Sequence, residues 1–469
     1  MVSVNAGGAG AVFDVVVVGG GASGTLVLIQ LLRSEGPSLR VAVVEPRPRL
    51  GEGVAYSTAC PEHVLNVIAS RMTAIDGMPG HFVDFLAADA ANAGVDAATL
   101  GARFARRMDY ARYLRATLEE SPGFADVHWI RDEAVDVARD GDAWSLRLAS
   151  GGRVAAAAVV LAVGNEPRAL PVPAAALRAP GRVVDAWDYA GVRGIAAGDA
   201  VAIVGSGLSM VDALATLSAT GHRGQVTVLS RHGLVPLPHA HAGSQQGVAS
   251  DLLPLGMRAR LRVLRARARE AVAAGKPWQW TMDALRHHGE TLWRHASTQE
   301  RARFLRHLAR YWDIHRHRIA PESAAMLDAA AASGRLRVRA GRVLAIDGGG
   351  GMARIRFRGR GMDDGEVIEV AHVVNATGIE TAFHRSRRPL LPAMHAGGVA
   401  APGPLGLGIA TGIDGTVLDG RGRASPGLLT LGAPRIGELW ESIAIPELRV
   451  QARRIAEHVR ARGGATVAH

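Results

Sequence analysis

Short apolar runs that end in glycine recur along the chain. They are continuous rather than alternating, which is typical of strands covered on both faces in a parallel sheet. The glycines that end them are Gly19, Gly164, Gly205, Gly378 and Gly432. Stretches with helical character lie between the runs, for example residues 23–34 and 447–462. This alternation of strand and helix predicts an α/β fold with parallel sheets.

The first run opens the strongest motif in the chain. Gly19, Gly21 and Gly24 follow four valines with G-x-G-x-x-G spacing. Gly19 permits a tight turn, Gly21 lets the backbone approach a pyrophosphate, and Gly24 lets the next helix pack close to the strand. The first N–H groups of that helix, including those of Ala22 and Ser23, point towards the phosphates. We therefore predict a dinucleotide site here.

An acid ends the next predicted strand, residues 40–45. Glu45 lies about 20 residues beyond the last glycine, where its carboxylate can accept hydrogen bonds from both ribose hydroxyls; Pro46 follows it as a further predicted contact. A lone glycine motif is weak, but a strand before it, a helix after it and this acid make it strong. The alternative is a glycine-rich turn without a ligand.

A second motif begins with the strand 199–204. Met210 occupies the position of its third glycine, so the helix that follows is expected farther from its strand. Phosphate binding needs mainly the first two glycines, so we predict a second dinucleotide site. Its predicted contacts are Gly205, Ser206, Gly207 and Ser209.

The strand 225–230 after this motif ends in serine and arginine rather than in an acid. Arg231 can hold a ribose 2′-phosphate, which a carboxylate would repel. The position therefore favours NADPH over NADH. The alternative is an exposed arginine that happens to follow a strand.

The order of the strand-glycine runs predicts a domain layout. We expect residues 11–166 to form the first part of one nucleotide domain, residues 167–378 to form a second domain inserted in it, and residues 379–469 to return to the first domain. Residues 127–160 predict a small antiparallel sheet, because short alternating runs are separated by glycine turns. Residues 244–330 lack strand signals and predict a helical insertion in the second domain.

Composition narrows the function. The net charge of +11 comes almost entirely from arginine, since Lys276 is the only lysine. Arginine suits phosphates and carboxylates, but these arginines are spread along the chain without a nucleic-acid motif, so no nucleic-acid partner is expected. A basic helix predicted over 301–319 is expected to be solvated rather than to lie on a membrane. No apolar run is long enough for a membrane span.

Cysteine and histidine exclude two further classes. Cys60 is the only cysteine, so the paired-cysteine chemistry of disulfide reductases is excluded, and a cytoplasmic setting is expected. Cys60 itself is expected to be structural. His315 and His317 are two positions apart, which places them on different faces of a helix, and no metal site is predicted.

Three stretches carry a resemblance to a known family. They are residues 51–67, with Gly-Glu-Gly-Val-Ala-Tyr-Ser-Thr and Pro-Glu-His-Val-Leu-Asn-Val; residues 311–321, with Tyr-Trp-Asp-Ile-His-Arg-His-Arg; and residues 440–447, Trp-Glu-Ser-Ile-Ala-Ile-Pro-Glu. Together with the domain pattern they resemble the two-dinucleotide-binding-domain flavoproteins, and within them the YdhS-like bacterial FAD/NAD(P)-binding proteins. The resemblance implies two Rossmann-like domains, FAD on the outer segments and NADPH on the inserted one.

The resemblance also implies a class B flavin monooxygenase-like activity, with O2 and a small amine or amino acid as substrates. We predict N-hydroxylation. Asp185 stands near the position of the histidine in the Baeyer–Villiger fingerprint, which argues against ester-forming oxidation. The alternatives are an NADPH-dependent flavin dehydrogenase or oxidase without oxygen insertion, and a non-catalytic redox sensor.

Further cofactor contacts are predicted in the loop after Glu45, at strand ends and in the C-terminal strand-glycine-helix unit, whose helix N-terminus can lie beside a flavin. They are Tyr56, Asn66, Met72, Gly164, Gly378, Gly432, Trp440 and Ser442. Asn66 is also the predicted catalytic residue, as an amide that faces the flavin–nicotinamide contact. Arg316 or Arg318 is expected either to pair with a substrate carboxylate or to form surface ion pairs.

Overall fold

A computed structural model describes residues 12–240 and 250–466. The first six residues of the predicted helical insertion, 244–249, therefore lie outside the described residues. The strands are β1 (Phe13–Val18), β2 (Val41–Val44), β3 (His128–Ile130), β4 (Ala134–Asp140), β5 (Ala143–Leu148), β6 (Arg153–Leu161), β7 (Val183–Asp185), β8 (Val201–Val204), β9 (Val226–Ser230), β10 (Leu336–Gly349), β11 (Met352–Gly359), β12 (Gly365–Val370), β13 (His372–Asn375), β14 (Thr416–Leu418) and β15 (Ala424–Thr430).

The helices alternate with these strands and cluster between β9 and β10. They are α1 (Ala22–Arg33), α2 (Gly53–Tyr56), α3 (His81–Ala87), α4 (Ala97–Ala102), α5 (Arg107–Glu119), α6 (Tyr189–Arg193), α7 (Leu208–Ala219), α8 (Met257–Ala273), α9 (Gln279–Ala284), α10 (Gly289–Arg294), α11 (Thr298–His307), α12 (Ala309–Arg316), α13 (Pro321–Ala332), α14 (Leu390–Ala396), α15 (Ile436–Leu439) and α16 (Ile445–Thr466). Within the described ranges, no helix has both the length and the apolar character to cross a membrane.

The first sheet has the order β14-β15-β6-β1-β2-β3. Strands β15, β6, β1, β2 and β3 run parallel, and the four valines of β1 are buried between them. Helices α1, α5 and α16 cover one face through a shared apolar core. The two elements that complete this layer, β15 and α16, come from the C-terminal part of the chain, so the first sheet is built from outer segments.

The second sheet has the order β12-β11-β10-β9-β8-β13-β7. Its parallel strands are β10, β9, β8, β13 and β7, while β11 and β12 extend β10 as antiparallel strands. Helices α7 and α13 pack beside this sheet, and helices α8 to α12 form an insertion between β9 and β10. The predicted α/β fold with two Rossmann-like units is therefore present.

The expected antiparallel sheet over 127–160 is partly wrong. Only β4, β5 and the start of β6 pair antiparallel. Strand β3 instead pairs parallel with β2, and β6 continues into the first sheet beside β1. The burial of β6 explains this, because its exposed and buried residues alternate at the start and its last four residues are all buried. The single basic helix expected over 301–319 is divided into two helices, α11 and α12.

Candidate functional site

The first glycine loop has the geometry that its motif requires. Gly19 has φ +103°, and a Cβ there would lie 2.5 Å from the carbonyl oxygen of Ala162. A Cβ on Gly24 would lie 1.9 Å from the carbonyl oxygen of Gly19, so only glycine lets α1 start this close to β1. A Cβ added to Gly21 would lie 3.2 Å from Cα of Gly53. The loop after β2 therefore packs on this turn.

Glu45 stands at the end of β2 with 8% of its surface exposed. Its Oε2 accepts a hydrogen bond from the Gly20 N–H at 2.8 Å, and its Oε1 accepts one from the Arg47 N–H at 2.9 Å. Each carboxylate oxygen has a second lone pair, so both can still accept a ribose hydroxyl. The indole of Trp129 donates to the Glu45 carbonyl at 3.0 Å and fixes the backbone there. Pro46 follows as an exposed residue.

A cavity of about 1850 Å³ lies between the two sheets. Ten of the predicted site residues line it together: Tyr56, Asn66, Met72, Gly205, Ser206, Gly207, Ser209, Arg231, Gly378 and Trp440. The other ten do not line it: Gly19, Gly21, Ala22, Ser23, Gly24, Glu45, Pro46, Gly164, Gly432 and Ser442. Seven of these form the glycine turn and the end of β2. Seventeen of the twenty predicted site residues thus lie around one cavity or on the turn beside it, whereas Gly164, Gly432 and Ser442 do neither.

Gly432 connects the C-terminal segment to this turn. A Cβ on Gly432 would lie 3.4 Å from the hydroxyl of Ser23, so the loop after β15 touches the start of α1. Ser442 is fully buried, and its hydroxyl donates to the Gly432 carbonyl at 2.8 Å. Ser442 therefore holds the loop in place. Gly164 has φ +66° and lines a much smaller cavity with residues of the β13–α14 connection.

The second glycine loop resembles the first. Gly205 has φ +108°, and a Cβ there would lie 2.1 Å from the carbonyl oxygen of Ala376. Nothing in the described structure lies within 4 Å of a Cβ placed on Gly207, so its backbone faces open space. Met210 is fully buried in the core of the second unit. A flexible thioether can fill such an irregular space, which accounts for a methionine at the third glycine position.

Polar contacts join the two units across the cavity. Arg107 at the start of α5 pairs with Asp212 on α7 through two hydrogen bonds of 2.8 and 2.9 Å. Burial alone would lower the pKa of Arg107, but the charge of Asp212 raises it overall. His63 bonds the Asp212 carbonyl at 2.9 Å, and His239 donates to the Asn66 carbonyl at 3.0 Å. Burial, followed by the charge of Arg318, lowers the pKa of His239 to about 4.

The helical insertion supplies the inner wall of the cavity. Arg316 pairs with Glu441 at 3.0 Å, Arg318 with Asp283, and Arg286 with Glu447 at 3.2 Å. Arg316 and Arg318 therefore already have protein partners. Within the described structure, four buried polar atoms here have no hydrogen-bond partner: Nη2 of Arg286, Nε of Arg318, Nε1 of Trp440 and Oε2 of Glu447.

Trp440 has an unusual backbone. Its φ is +61° and its ψ is −60°, a combination that costs a residue with a Cβ of the order of 1–3 kcal/mol. Its ring stacks on Trp293 of the insertion, with centroids 4.9 Å apart and planes at 22°. Strain of this kind persists where surrounding contacts impose it, and here the contacts hold an indole at the cavity wall.

Sequence reasoning missed Arg107, Asp212, Arg286 and Glu447. No local motif marks them, because their partners come from distant parts of the chain. Cys60 is buried, and burial, followed by its hydrogen bond to Glu62, raises the pKa of its thiol. In the described ranges, no group of three or more histidine, cysteine, aspartate or glutamate side chains could hold a metal ion.

The structure thus combines two Rossmann-like α/β units around a shared cavity. Residues 16–166 match the family model described as FAD-NAD(P)-binding. This agrees with the predicted nucleotide site in the first unit. No curated protein sequence matches the chain.

Solved structures share the fold over nearly the whole chain. Ornithine hydroxylase from Pseudomonas aeruginosa in its reduced form has a TM-score of 0.65 at 18% identity, covering 96% of this chain and 99% of that one. Kutzneria sp. 744 ornithine N-hydroxylase, with reduced FAD, NADP+ and L-ornithine, has a TM-score of 0.67 at 14% identity, covering 97% and 100%. L-lysine 6-monooxygenase from Pseudomonas syringae has a TM-score of 0.67 at 16% identity, covering 96% of this chain and 99% of that one. These likenesses confirm the predicted fold.

Proposed function

We propose that the chain is an FAD- and NADPH-dependent monooxygenase that N-hydroxylates a small amine or amino acid. Three proteins with the same fold are N-hydroxylases or monooxygenases of ornithine and lysine, which supports this activity. We also propose the YdhS-like assignment, a cytoplasmic location, and the domain boundaries 11–166, 167–378 and 379–469.

The first unit fits FAD by its own geometry. The start of α1 has neither a side-chain cap nor an acid in its first turn within the described structure, so its N–H groups are available to a pyrophosphate. Glu45 offers two acceptors to ribose hydroxyls. The start of α16 and the loop at Gly432 close the turn from the C-terminal side. When bound, FAD supplies the transfer of reducing equivalents from NADPH to O2.

The second unit fits a phosphorylated nicotinamide nucleotide. Gly207 faces open space at the start of α7, and Arg231 follows β9 at the rim of the same cavity. Arg231 is exposed, as its alternative role also expects, but it lines the cavity, and this position supports a contact with a phosphate. Asn66 also lines the cavity, between the two units, and we propose that its amide orients the rings that meet there.

The observation that carries an amine substrate with a carboxylate is the inner wall of the cavity. Among the described residues, Arg286 Nη2, Arg318 Nε and Trp440 Nε1 are donors without hydrogen-bond partners, and Glu447 Oε2 is an acceptor without one. Buried polar atoms without partners are costly, so a ligand that satisfies them gains affinity. A carboxylate can accept from the donors and an ammonium group can donate to Glu447. An amino acid carries both groups.

The experiment is a turnover assay with FAD-loaded protein, NADPH and O2. The substrates are diamino acids, other amino acids and the matching amines without a carboxylate. We expect a hydroxylamine product, higher kcat/KM for amino acids than for the matching amines, and a rate that rises with pH because the reacting amine must be deprotonated. Hydrogen peroxide equal to the NADPH consumed with every substrate would identify an oxidase instead. The absence of NADPH turnover would leave the redox-sensor alternative.

A further inference from the structure

Helix α12 of the insertion reaches the second glycine loop. Nη2 of Arg310 lies 2.9 Å from the Ser206 carbonyl oxygen, 3.1 Å from the Ser206 hydroxyl and 2.5 Å from the Leu234 carbonyl oxygen. These contacts span more than 70 residues of sequence and fix one nitrogen of the guanidinium. The side chain also lines the cavity. Arg310 is thus held at the nucleotide loop by an element outside the nucleotide fold.

The loop that Arg310 contacts is tied to the end of β9. The Ser206 hydroxyl lies 2.9 Å from the Ser230 hydroxyl, which in turn accepts a hydrogen bond from the Gly233 N–H at 3.1 Å. In a nucleotide unit of this kind, the end of the second strand is where the adenosine ribose lies. Arg310 therefore stands beside the ribose position, next to Arg231.

Positively charged side chains collect at this place, with Asp313 as a nearby acid that lines the same cavity. Neither Arg231 nor Arg310 forms an ion pair with any part of the chain that the structure describes. His232 lines the same cavity, and its Nδ1 is buried without a partner among the described residues. Burial lowers the pKa of Arg310, the charge of Asp313 opposes this shift, and the nearby charge of Arg231 adds to it. Two guanidinium groups and an imidazole that face one space suit a phosphate monoester dianion.

We propose that Arg310, supplied by the helical insertion, binds the ribose 2′-phosphate together with Arg231 and His232 and is a specificity-determining residue for NADPH. This inference rests on the nicotinamide-nucleotide site of the proposed function, but not on the oxidation of an amine. A bound 2′-phosphate would then fasten α12 to the second unit. The other end of α12 carries Arg316, which pairs with Glu441 beside the strained Trp440.

The test measures nucleotide affinity in the FAD-loaded full chain by isothermal titration calorimetry. The probes are adenosine 2′,5′-bisphosphate and ADP, which both carry two phosphates but place the second one on the 2′-hydroxyl and on the 5′-phosphate, respectively. The variants are Arg310→Met, which keeps the apolar stem, and Arg310→Lys, which keeps the charge but cannot bridge Ser206 and a phosphate with one planar group. The control is Arg303→Met on α11, an exposed arginine of the same insertion.

We expect the wild type to prefer the bisphosphate. Arg310→Met should weaken bisphosphate binding by about 10- to 100-fold, as for the loss of a charge-assisted hydrogen bond, and change ADP binding less than about 2-fold. Arg310→Lys should fall between the two, and Arg303→Met should match the wild type. If Arg310→Met does not fold, a lowered bisphosphate preference in Arg310→Lys still supports the inference.

Equal losses for both probes, or no loss for either, would overturn it by showing that Arg310 only holds the loop. A wild type that binds neither probe, or that prefers ADP, would overturn both this inference and the NADPH part of the proposed function. If the wild type makes no hydroxylamine, but Arg310→Met lacks the bisphosphate preference that the wild type shows, only the proposed oxidation would be contradicted.

Discussion

The ion pair between Arg107 and Asp212 gives a quantitative prediction, because it is a well-shielded charge pair that joins the two units through two hydrogen bonds. The side chains are 16% and 10% exposed, and both Asp212 oxygens accept from Arg107. Removing one partner of a fully buried pair costs about 3–5 kcal/mol. Arg107 faces the cavity and keeps a bond from Nε to the Val64 carbonyl at 3.1 Å. We therefore expect Asp212→Ala to lower the free energy of unfolding by about 2–3 kcal/mol.

The double variant isolates the pair from its surroundings. Arg107→Met with Asp212→Ala removes both charges, so no unpaired guanidinium remains. Its free energy of unfolding should fall by less than the sum of the two single variants, with a coupling energy of about 1–3 kcal/mol. The control is the exposed pair Arg354–Glu369, 58% and 53% exposed, whose coupling should stay under about 1 kcal/mol.

Urea titration of FAD-loaded protein, followed by tryptophan fluorescence and flavin release, measures each variant. Additive losses for Arg107→Met and Asp212→Ala, or a coupling no larger than in the Arg354–Glu369 control, would show that the pair does not fasten the units. The contact between α5 and α7 would then not stabilise the arrangement of the two units around the cavity.

Four further predictions concern single positions. Glu45→Ala should lose FAD on gel filtration, because the ribose hydroxyls lose their acceptor. A variant that keeps the same absorbance at 450 nm as the wild type after gel filtration would contradict this expectation. Arg231→Ala should raise KM for NADPH with little change for NADH, and equal effects would exclude a phosphate contact. Trp440→Gly should be more stable than Trp440→Ala by about 1 kcal/mol, since only glycine relieves the positive φ; equal unfolding midpoints would exclude strain. The pKa of His239 is lowered from 6.5 to about 4 in the folded chain, so the unfolded chain takes up the proton at a higher pH. The free energy of unfolding should therefore fall by about 3 kcal/mol as the pH falls from about 6.5 to 4. Urea titrations at several pH values measure this slope, which His239→Gln should flatten.

The fold was largely predictable because its determinants are local. The positions of Gly19, Gly24 and Gly205 follow from short motifs, and the structure shows the close approaches that exclude a side chain there. Strand β3 was misplaced because a short apolar run does not specify its partner. Its neighbour β2 lies more than 80 residues earlier, and the pairing depends on the layer as a whole.

The candidate site was predictable mainly on its nucleotide side. Tyr56, Asn66 and Arg231 could be proposed because each follows a recognisable strand or loop. On the inner wall, Arg316, Arg318 and Trp440 could be proposed because they lie in stretches that carry the family resemblance, whereas Arg286 and Arg310 lie in the insertion outside those stretches. Their roles depend on partners such as Glu447 and Ser206, which are brought near by tertiary packing alone.

The contribution of β15 and α16 to the first sheet has a consequence for biogenesis. During translation the ribosome delivers the whole middle unit before these two elements emerge. Until then β6 has an open edge, and α1 lacks the helix that packs beside it. The middle unit can fold while the nascent chain is still tethered to the ribosome, whereas the proposed FAD site of the first unit is completed only near release of the chain. FAD loading is therefore expected to be a late, largely post-translational event.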